Sequence, residues 1–284
     1  MPNIAIITDT DSSLPIDLTA RYHIVQVPIT IQFGEETYED VYGMDVAKCF
    51  ARIDKTGKLP TTAAPAPGKF LEAYQKAFDG GAEQVICFTV SSEVSATYNA
   101  AVTARDTLPD RDITVIDTRS LSMGQGFIVL AAANAVAKGA TKEKAISHAL
   151  DVRGRSHLYA ALATLKYLAM SGRVGHLAAG IANVLNVKPI LTIRDGKLDL
   201  LERVRTRLKA WDRTIQLAAE TADGKPIAQA AVIHVNAPQE ALQFELLFRT
   251  SLKYTQDMLI AEINPGLSVH SGAGMVGVVF IVEK

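Results

Sequence analysis

Cysteine is scarce in this chain of 284 residues, which contains only Cys49 and Cys87. The two residues lie far apart in the sequence and match no metal-binding or redox spacing. Cys87 falls within an apolar run, where we expect a buried and inert thiol. A zinc site and a thiol redox motif are therefore not indicated, and the scarcity of cysteine favours a reducing location, the cytoplasm.

An excess of charge of one sign is also missing. Lys and Arg together number 29, Asp and Glu number 30, and the formal net charge is −1. Such a balance provides no overall attraction to nucleic acid or to an anionic membrane. One basic run stands out (Arg203, Arg205, Arg207 and Lys209). A run of this kind is usually a solvated surface, and it is only a weak candidate for contact with an acidic partner.

Long apolar segments are absent as well. No stretch approaches the length of a membrane span, and the N-terminus lacks the basic region and apolar segment of a signal peptide. We therefore expect no membrane segment, while transient contact with a membrane surface stays open. Hydrophobic residues make up 48% of the chain, which is enough for one or two full cores.

Two common catalytic motifs are missing. The sequence has no G-x-S-x-G nucleophile elbow, and Gly124 and Gly126 have the wrong spacing for a phosphate loop. Asp9 and Asp11 follow the first predicted strand, a position that can bind a metal or phosphate-bound magnesium. Capping of a turn is the favoured interpretation of these two residues, since nothing nearby resembles a phosphate loop. We therefore expect neither a metal nor a cofactor.

Predicted strands and helices alternate along the first half of the chain. Apolar runs indicate strands over residues 3–8, 24–33, 84–89 and 113–117. Helical spacing or composition indicates helices over residues 45–55, 69–78, 100–104, 121–138 and 141–155. Such alternation predicts a mainly parallel sheet that is covered by helices on both faces.

The pattern changes after residue 155. Apolar runs over 187–193 and 197–204 flank the sequence Arg194-Asp195-Gly196, and an Asp-Gly pair between strands indicates a hairpin. Further strands are predicted over 158–164, 227–235, 258–263 and 276–282, and helices over 209–221 and 238–252. Hairpins mixed with βα units predict a second α+β domain, so the expected domains are 1–155 and 156–284.

Small hydroxyl residues cluster where the strand over 84–89 gives way to a helix. They are Ser91, Ser92, Ser95 and Thr97. The start of a helix has unpaired N–H groups and a partial positive charge, so hydroxyls there either cap the helix or help to hold an anion. Capping alone is the simpler interpretation of the local pattern.

Seven segments stand in order along nearly the whole chain. They are Ile7–Thr10 with Leu14-Pro15; Thr62 with Pro65 and Pro67-Gly68; Ser91-Ser92 with Ser95, Thr97 and Tyr98; Val115–Thr118 with Gly124; Leu168 to Gly172-Arg173; Val187–Leu191 with Asp195–Lys197; and His270 with Gly272 and Gly274. Together these segments resemble the DegV family of fatty-acid-binding proteins. The resemblance implies a two-domain α/β fold. Its N-terminal domain is a three-layer α/β/α structure with a mainly parallel sheet, and its C-terminal α+β domain has two layers and a mixed sheet.

The resemblance also implies a function. One long-chain fatty acid would be threaded into the N-terminal domain, with its carboxylate near the domain interface. In bacterial fatty-acid kinase systems, such a protein is a carrier and not an enzyme. It presents the carboxylate to a separate kinase, which makes an acyl-phosphate for phospholipid synthesis.

A carboxylate needs several hydrogen-bond donors, and the matched segments supply candidates. Thr62, Ser92 or Ser95, and His270 can donate, while Arg173 offers a positive fork. Each residue also has a simpler role. Thr62 can begin a turn, Arg173 can cap a helix or pair on the surface, and His270 can be a structural interface histidine. Only as a set matched to the family do they predict a carboxylate site.

Two other functions fit the residue types. A serine hydrolase would use Ser92 or Ser95 with His270 and Asp117, although triads are recognised by geometry and the elbow motif is missing. A binding module for another lipid or an isoprenoid acid would use the same donors with a differently shaped apolar site.

Overall fold

The computed structural model describes residues 3–41, 43–172 and 187–284. Arg173, one of the candidate site residues, lies outside these ranges. None of the helices within the described ranges is both long enough and apolar enough to span a membrane.

A parallel four-stranded sheet forms the centre of the N-terminal half, in the order β2-β1-β6-β7. Its strands are β1 (Ile4–Asp9), β2 (Val25–Val27), β6 (Gln84–Thr89) and β7 (Asp112–Asp117). The strands are apolar because both faces are covered, as the sequence predicts. Ile7, Val85 and Cys87 point to one face, while Ile6, Ile86 and Phe88 point to the other.

Helices cover both faces of this sheet. Those of the N-terminal half are α1 (Ile16–Arg21), α2 (Val46–Thr56), α3 (Pro67–Asp79), α4 (Thr97–Asp106), α5 (Met123–Ala137) and α6 (Lys142–Arg155). Phe70 and Tyr74 of α3 pack with Ala101 and Ala104 of α4 against one face. Helices α5 and α6 cover the opposite face. The three-layer arrangement predicted from the alternation is thereby confirmed.

A small antiparallel sheet lies beside the parallel one, in the order β4-β3-β5. Its strands are β3 (Thr30–Phe33), β4 (Glu36–Glu39) and β5 (Thr61–Ala63). The prediction of one strand over 24–33 is wrong, because the chain leaves the parallel sheet at Pro28, which has no N–H group for a ladder. The proline-rich stretch over 59–68 predicts a loop around Thr62, and this is also wrong, since Thr62 pairs with Ile31.

A mixed six-stranded sheet forms the C-terminal half, in the order β10-β9-β8-β13-β11-β12. Its strands are β8 (Ser156–Ala161), β9 (Lys188–Arg194), β10 (Lys197–Val204), β11 (Ile227–His234), β12 (Met258–Glu262) and β13 (Val276–Val282). Strands β9 and β10 form the antiparallel hairpin that the Asp195-Gly196 pair predicts. The pair of β11 and β12 is parallel, and the remaining pairs are antiparallel.

The two faces of the C-terminal sheet have different neighbours. Its helices are α7 (Lys166–Met170), α8 (Arg207–Ala222), α9 (Pro238–Leu252) and α10 (Pro265–Ser271). Trp211 of α8 and Phe244 of α9 pack on one face, against Val232 and Phe280. The other face, including Ile233, belongs to the same apolar core as the N-terminal half. The candidate functional site lies at this junction.

Candidate functional site

His270 and Thr62 meet across the junction of the two halves. The Nε2 atom of His270 lies 2.8 Å from Oγ1 of Thr62. The sequence predicts a glycine-flanked loop around His270, and this is wrong. His270 lies in α10, which begins at Pro265, a residue suited to the first turn of a helix. Gly272 then ends the helix with φ of 83°.

Two hydrogen bonds fix the start of α10 on the N-terminal half. Asn264 donates from Nδ2 to the carbonyl of Thr10 at 2.7 Å, and the N–H of Gly266 donates to Oδ1 of Asp40 at 3.2 Å. A Cβ atom on Gly266 would lie 3.1 Å from carboxylate oxygens of both Asp11 and Asp40. The absence of a side chain at Gly266 therefore permits the close approach that brings His270 to Thr62.

The loop between β6 and α4 carries both candidate serines, Ser92 and Ser95. Ser95 lines the same polar cavity as Thr62 and His270, and its Oγ lies 2.8 Å from Oγ1 of Thr97. Ser92 is turned elsewhere, since its exposed hydroxyl donates to Oδ2 of Asp117 at 2.6 Å. Of the two serines left open by the sequence, the structure brings Ser95 to the site and leaves Ser92 outside it.

The polar cavity is small, with a volume of about 60 Å³. Its polar lining comes from Asp11, Thr62, Ser95 and His270. Apolar side chains complete the wall (Ile29, Val94, Leu121, Leu198 and Leu267). The cavity therefore combines hydroxyl, imidazole and carboxyl groups with an apolar floor.

A second cavity of about 70 Å³ lies next to the first and is almost wholly apolar. Leu121, Leu198, Leu267 and His270 line both cavities. The rest of the second wall comes mainly from the C-terminal sheet and α7 (Leu158, Ala160, Leu168, Leu191 and Ile233). The resemblance implies an acyl chain inside the N-terminal domain. The apolar space that adjoins the polar cavity lies instead between the two halves, because one face of the C-terminal sheet packs there.

Both cavities are smaller than the roughly 300 Å³ of a small ligand pocket. A long acyl chain can enter only if side chains along these walls move apart. A larger groove, of about 510 Å³, lies between α5, α6 and the strands β11 to β13, and none of the candidate site residues lines it.

Two buried carboxyl groups, those of Asp9 and Asp40, lie next to residues that line the polar cavity. Asp9 accepts hydrogen bonds from the N–H groups of Val90 and Asp11 and from Gln125, so it ties the ends of β1 and β6 together and caps the turn after β1, as predicted. Burial outweighs these bonds and raises the pKa of Asp9 to about 6. Burial likewise raises the pKa of Asp40 to about 7.

The hydrolase arrangement is not built in the described part of the chain. The Asp117 carboxylate accepts hydrogen bonds from Ser92 and from the N–H of Arg119, where a triad would require a histidine. The described residues also contain no cluster of three or more His, Cys, Asp or Glu that could hold a metal ion. The arrangement can donate hydrogen bonds to a polar group that is joined to an apolar body.

Sequence reasoning missed Leu121, Leu198 and Gly266, which line the polar cavity. The leucines give no motif, and only the packing of the two halves shows that they join the cavities. Asn264-Pro265-Gly266 does carry a signal for the start of a helix, since proline suits the first helical position. Both cysteines are buried, as expected for Cys87, and the basic run over 203–209 is exposed apart from Val204, which is half-buried.

Sequence comparison finds relatives along the whole chain. A DegV domain-containing protein of Caldanaerobacter subterraneus subsp. tengcongensis is 34% identical over 284 residues, which is 99% of both chains. A DegV domain-containing protein of Streptomyces coelicolor is 32% identical over 278 residues, or 98% of both chains. The two relatives thus share both halves of the fold with this chain.

Solved structures agree with this relationship. A DegV family protein from Thermus thermophilus, described by its fatty acid binding, superposes with a TM-score of 0.90 at 28% identity over 100% of both chains. DegV from Bacillus subtilis, described as a fatty acid binding protein, gives a TM-score of 0.89 at 28% identity, also over 100% of both chains. The family model described as uncharacterised protein, DegV family, matches residues 3–283. The chain therefore belongs to the DegV family.

Proposed function

We propose that this protein binds one long-chain fatty acid and presents its carboxylate to a separate fatty-acid kinase. The observation that carries the proposal is that a polar and an apolar cavity lie side by side and share Leu121, Leu198, Leu267 and His270 in their walls. A fatty acid has a polar head on an apolar tail, and it needs a site with this order of surfaces. The fatty acid binding described for the Thermus thermophilus and Bacillus subtilis relatives supports the same ligand class.

The head group would be held by Thr62, Ser95 and His270. A hydroxyl donates one hydrogen bond, and an imidazole donates from whichever ring nitrogen carries the proton. Arg173, which the family resemblance assigns to the same site, would add a positive fork. The tail would extend along the apolar cavity, where burial of each methylene contributes roughly 0.8 kcal/mol.

Hand-over to a kinase requires that the carboxylate can be reached from outside. Thr62, Ser95 and His270 are each half-buried, while Leu158 and Leu191 of the apolar cavity are buried. A ligand in this orientation would have its head towards the surface and its tail in the core. This geometry suits a carrier that leaves its ligand unchanged. The two buried free thiols suit the cytoplasm, where cysteines stay reduced.

One experiment tests the carrier proposal. Purified protein is incubated with palmitate, ATP and magnesium, first alone and then with a bacterial fatty-acid kinase, and acyl-phosphate is measured in both mixtures. We expect product only when the kinase is present. Product without the kinase contradicts the carrier role, and a protein that binds palmitate yet yields no product with any kinase contradicts the hand-over.

Another lipid or an isoprenoid acid is the second candidate, because the same three donors would hold any carboxylate. A branched isoprenoid chain is wider than a straight acyl chain and would require a larger displacement of the walls of these two small cavities, which favours the straight chain. Competition between palmitate and a farnesyl-type acid for the same site distinguishes the two ligands.

A further inference from the structure

The turn of the β9–β10 hairpin, Asp195–Gly196, rests on the N-terminal half. The hydroxyl of Ser91 donates to the carbonyl of Gly196 at 2.7 Å, and the guanidinium of Arg119 donates to the carbonyl of Asp195. We call these two turn residues the clasp turn. The clasp turn and its neighbour Lys197 thus link the edge of the C-terminal sheet to the loop that also carries Ser95.

Ion pairs at the surface reinforce this contact. The Glu93 carboxylate lies 3.4 Å from Nζ of Lys197 and 3.8 Å from Nη2 of Arg119. The side chains of Glu93 and Lys197 are 33% and 52% exposed. Partly exposed pairs of this kind contribute little individually and are weakened by salt. The contact is therefore polar and adjustable, unlike the apolar core beneath it.

The close approach requires glycine at the turn. Gly196 has φ of 81°, a conformation that other residues rarely adopt. A Cβ atom at this position would lie 2.6 Å from Oγ of Ser91 and 3.2 Å from Cγ of Glu93. The absence of a side chain allows the backbone carbonyl of the turn to reach the serine hydroxyl.

The clasp turn bears directly on both cavities. Leu198, two residues beyond Gly196, lines the polar and the apolar cavity alike. Ser91, on the opposite side of the contact, accepts the N–H of Ser95 with its carbonyl at 3.2 Å. A single residue, Ser91, therefore holds the clasp turn with its hydroxyl and the head-group serine with its backbone.

The strand behind the clasp turn is suited to movement. Among the residues that the structure describes, strand β10 is the outermost strand of the six and pairs with β9 alone. Its register with β9 shifts between Leu200 and Glu202, and such an irregularity bends a strand locally. Edge strands with few partners open more readily than central ones. Since the two cavities are small, some wall must move to admit an acyl chain, and β10 is an edge strand that carries Leu198 of that wall.

We propose that the clasp turn separates from Ser91 and Glu93 when a fatty acid enters or leaves, and that these contacts set the rate of exchange. The inference rests on the proposed function, because it concerns access to the same site. Ser91 and Glu93 are positioning residues here, since they act on the ligand through Leu198 and Ser95.

The test measures ligand release. cis-Parinaric acid, a fluorescent unbranched fatty acid, is bound to the whole protein and displaced by excess palmitate in a stopped-flow instrument. The variants are Ser91→Ala and Glu93→Gln. The matched control is Asp199→Asn, which removes a 3.0 Å pair with Arg194 inside the hairpin and leaves the clasp contacts intact. Unfolding curves of all variants accompany the rates.

We expect release to accelerate roughly two- to fivefold in Glu93→Gln, as for loss of a partly exposed pair. Loss of the buried hydrogen bond in Ser91→Ala should accelerate it by up to about tenfold. Raising salt from about 20 to about 500 mM should accelerate release from the wild type more than from Glu93→Gln. Asp199→Asn should release at the wild-type rate. This pattern separates gating from a general loss of stability, which would not depend on Glu93 and salt together.

Equal release rates in the wild type, Glu93→Gln and Asp199→Asn, with no effect of salt, overturn the clasp while leaving fatty acid binding intact. Should Ser91→Ala fail to fold, Glu93→Gln and the salt series still decide. A wild-type protein that binds neither cis-parinaric acid nor palmitate overturns both the clasp and the proposed function.

Discussion

The imidazole of His270 lies 2.8 Å from the hydroxyl of Thr62, although the two residues are 208 positions apart in the chain. One comes from a short helix of the C-terminal half and the other from a strand of the N-terminal half. The proposed head-group site is therefore complete only when the two halves are in contact. Binding of a ligand there should stabilise the contact between them.

Removing a head-group donor should weaken binding without abolishing it. A hydrogen bond to a charged group contributes roughly 1.5–3 kcal/mol, so Thr62→Ala, Ser95→Ala and His270→Ala should each weaken palmitate binding by about tenfold to a hundredfold. The tail would preserve the remaining affinity. Fluorescence titration of each variant measures this effect, with unfolding curves to verify the fold.

Ser92→Ala is the matched control for this series. Its hydroxyl donates to Asp117 and lies outside the polar cavity, so binding should change less than twofold. If Ser92→Ala weakens binding as much as Ser95→Ala, the assignment of the head-group site is wrong.

Narrowing the apolar cavity should act on the tail alone. Ala160 lines that cavity, and Ala160→Leu would take up space that two or more methylenes of the ligand need. At roughly 0.8 kcal/mol for each methylene, palmitate affinity should fall at least about tenfold. The unfolding midpoint should stay level or rise, since the added side chain fills a void. Unchanged palmitate affinity in a folded Ala160→Leu protein would mean that the tail lies elsewhere.

Gly272 should tolerate no side chain. A Cβ atom there would lie 2.2 Å from the ring of Tyr167, at a residue with φ of 83°. We expect Gly272→Ala to lower the free energy of unfolding by about 1–3 kcal/mol and to weaken palmitate binding by displacing the end of α10.

Gly224→Ala provides the comparison for Gly272→Ala. Gly224 has a similar φ of 77°, but a Cβ atom there meets nothing within 4 Å. Gly224→Ala should therefore lower the free energy of unfolding through backbone strain alone, and it should bind palmitate as the wild type does. Equal losses of binding in the two variants would rule out a specific role for the end of α10.

The pH dependence of stability should reveal Asp40. Its pKa is about 7 in the folded protein and near 3.8 when unfolded, so the folded state binds the proton more tightly. The stability from this group is present below about pH 4 and is lost as the pH rises through 7. Asp40→Asn cannot ionise and should exceed the wild type in stability by about 1–3 kcal/mol at pH 8. Denaturant unfolding from pH 5 to pH 8 tests the widening difference.

Asp45→Asn should behave in the opposite sense. Hydrogen bonds from Lys48 lower the pKa of Asp45, so its ionised form stabilises the folded state above the unfolded pKa. Asp45→Asn should therefore be no more stable than the wild type between pH 5 and pH 8.

The outcome that would contradict the titration of Asp40 is a difference in the free energy of unfolding between Asp40→Asn and the wild type that stays constant with pH.

The sequence predicted the architecture well because burial on both faces makes the parallel strands continuously apolar. The runs at 84–89 and 113–117 show this pattern. The Asp195-Gly196 pair is a separate signal, because such a pair between two strands predicts a hairpin. Short elements were harder to predict. Pro28 divides one apolar run between two sheets, and Thr62 joins a three-residue strand whose partner lies thirty residues away, since Ile31 is its pair.

The site could be predicted only in part. Thr62, Ser95 and His270 appear in matched segments, but their distances depend on how the two halves pack. Local sequence could not decide between Ser92 and Ser95, because both lie in one short loop and only the contact with Asp117 separates them. The residues of the cavity wall could not be predicted either, because Leu121 and Leu198 have no local sequence signature.

Native mass spectrometry of delipidated protein mixed with palmitate tests the central claim most directly. We predict a single added mass of one palmitate for each chain at saturation, and a smaller bound fraction in Thr62→Ala and in Ala160→Leu at the same concentration. A spectrum without bound palmitate, or equal occupancy in the wild type and both variants, would contradict a fatty acid site between the two halves.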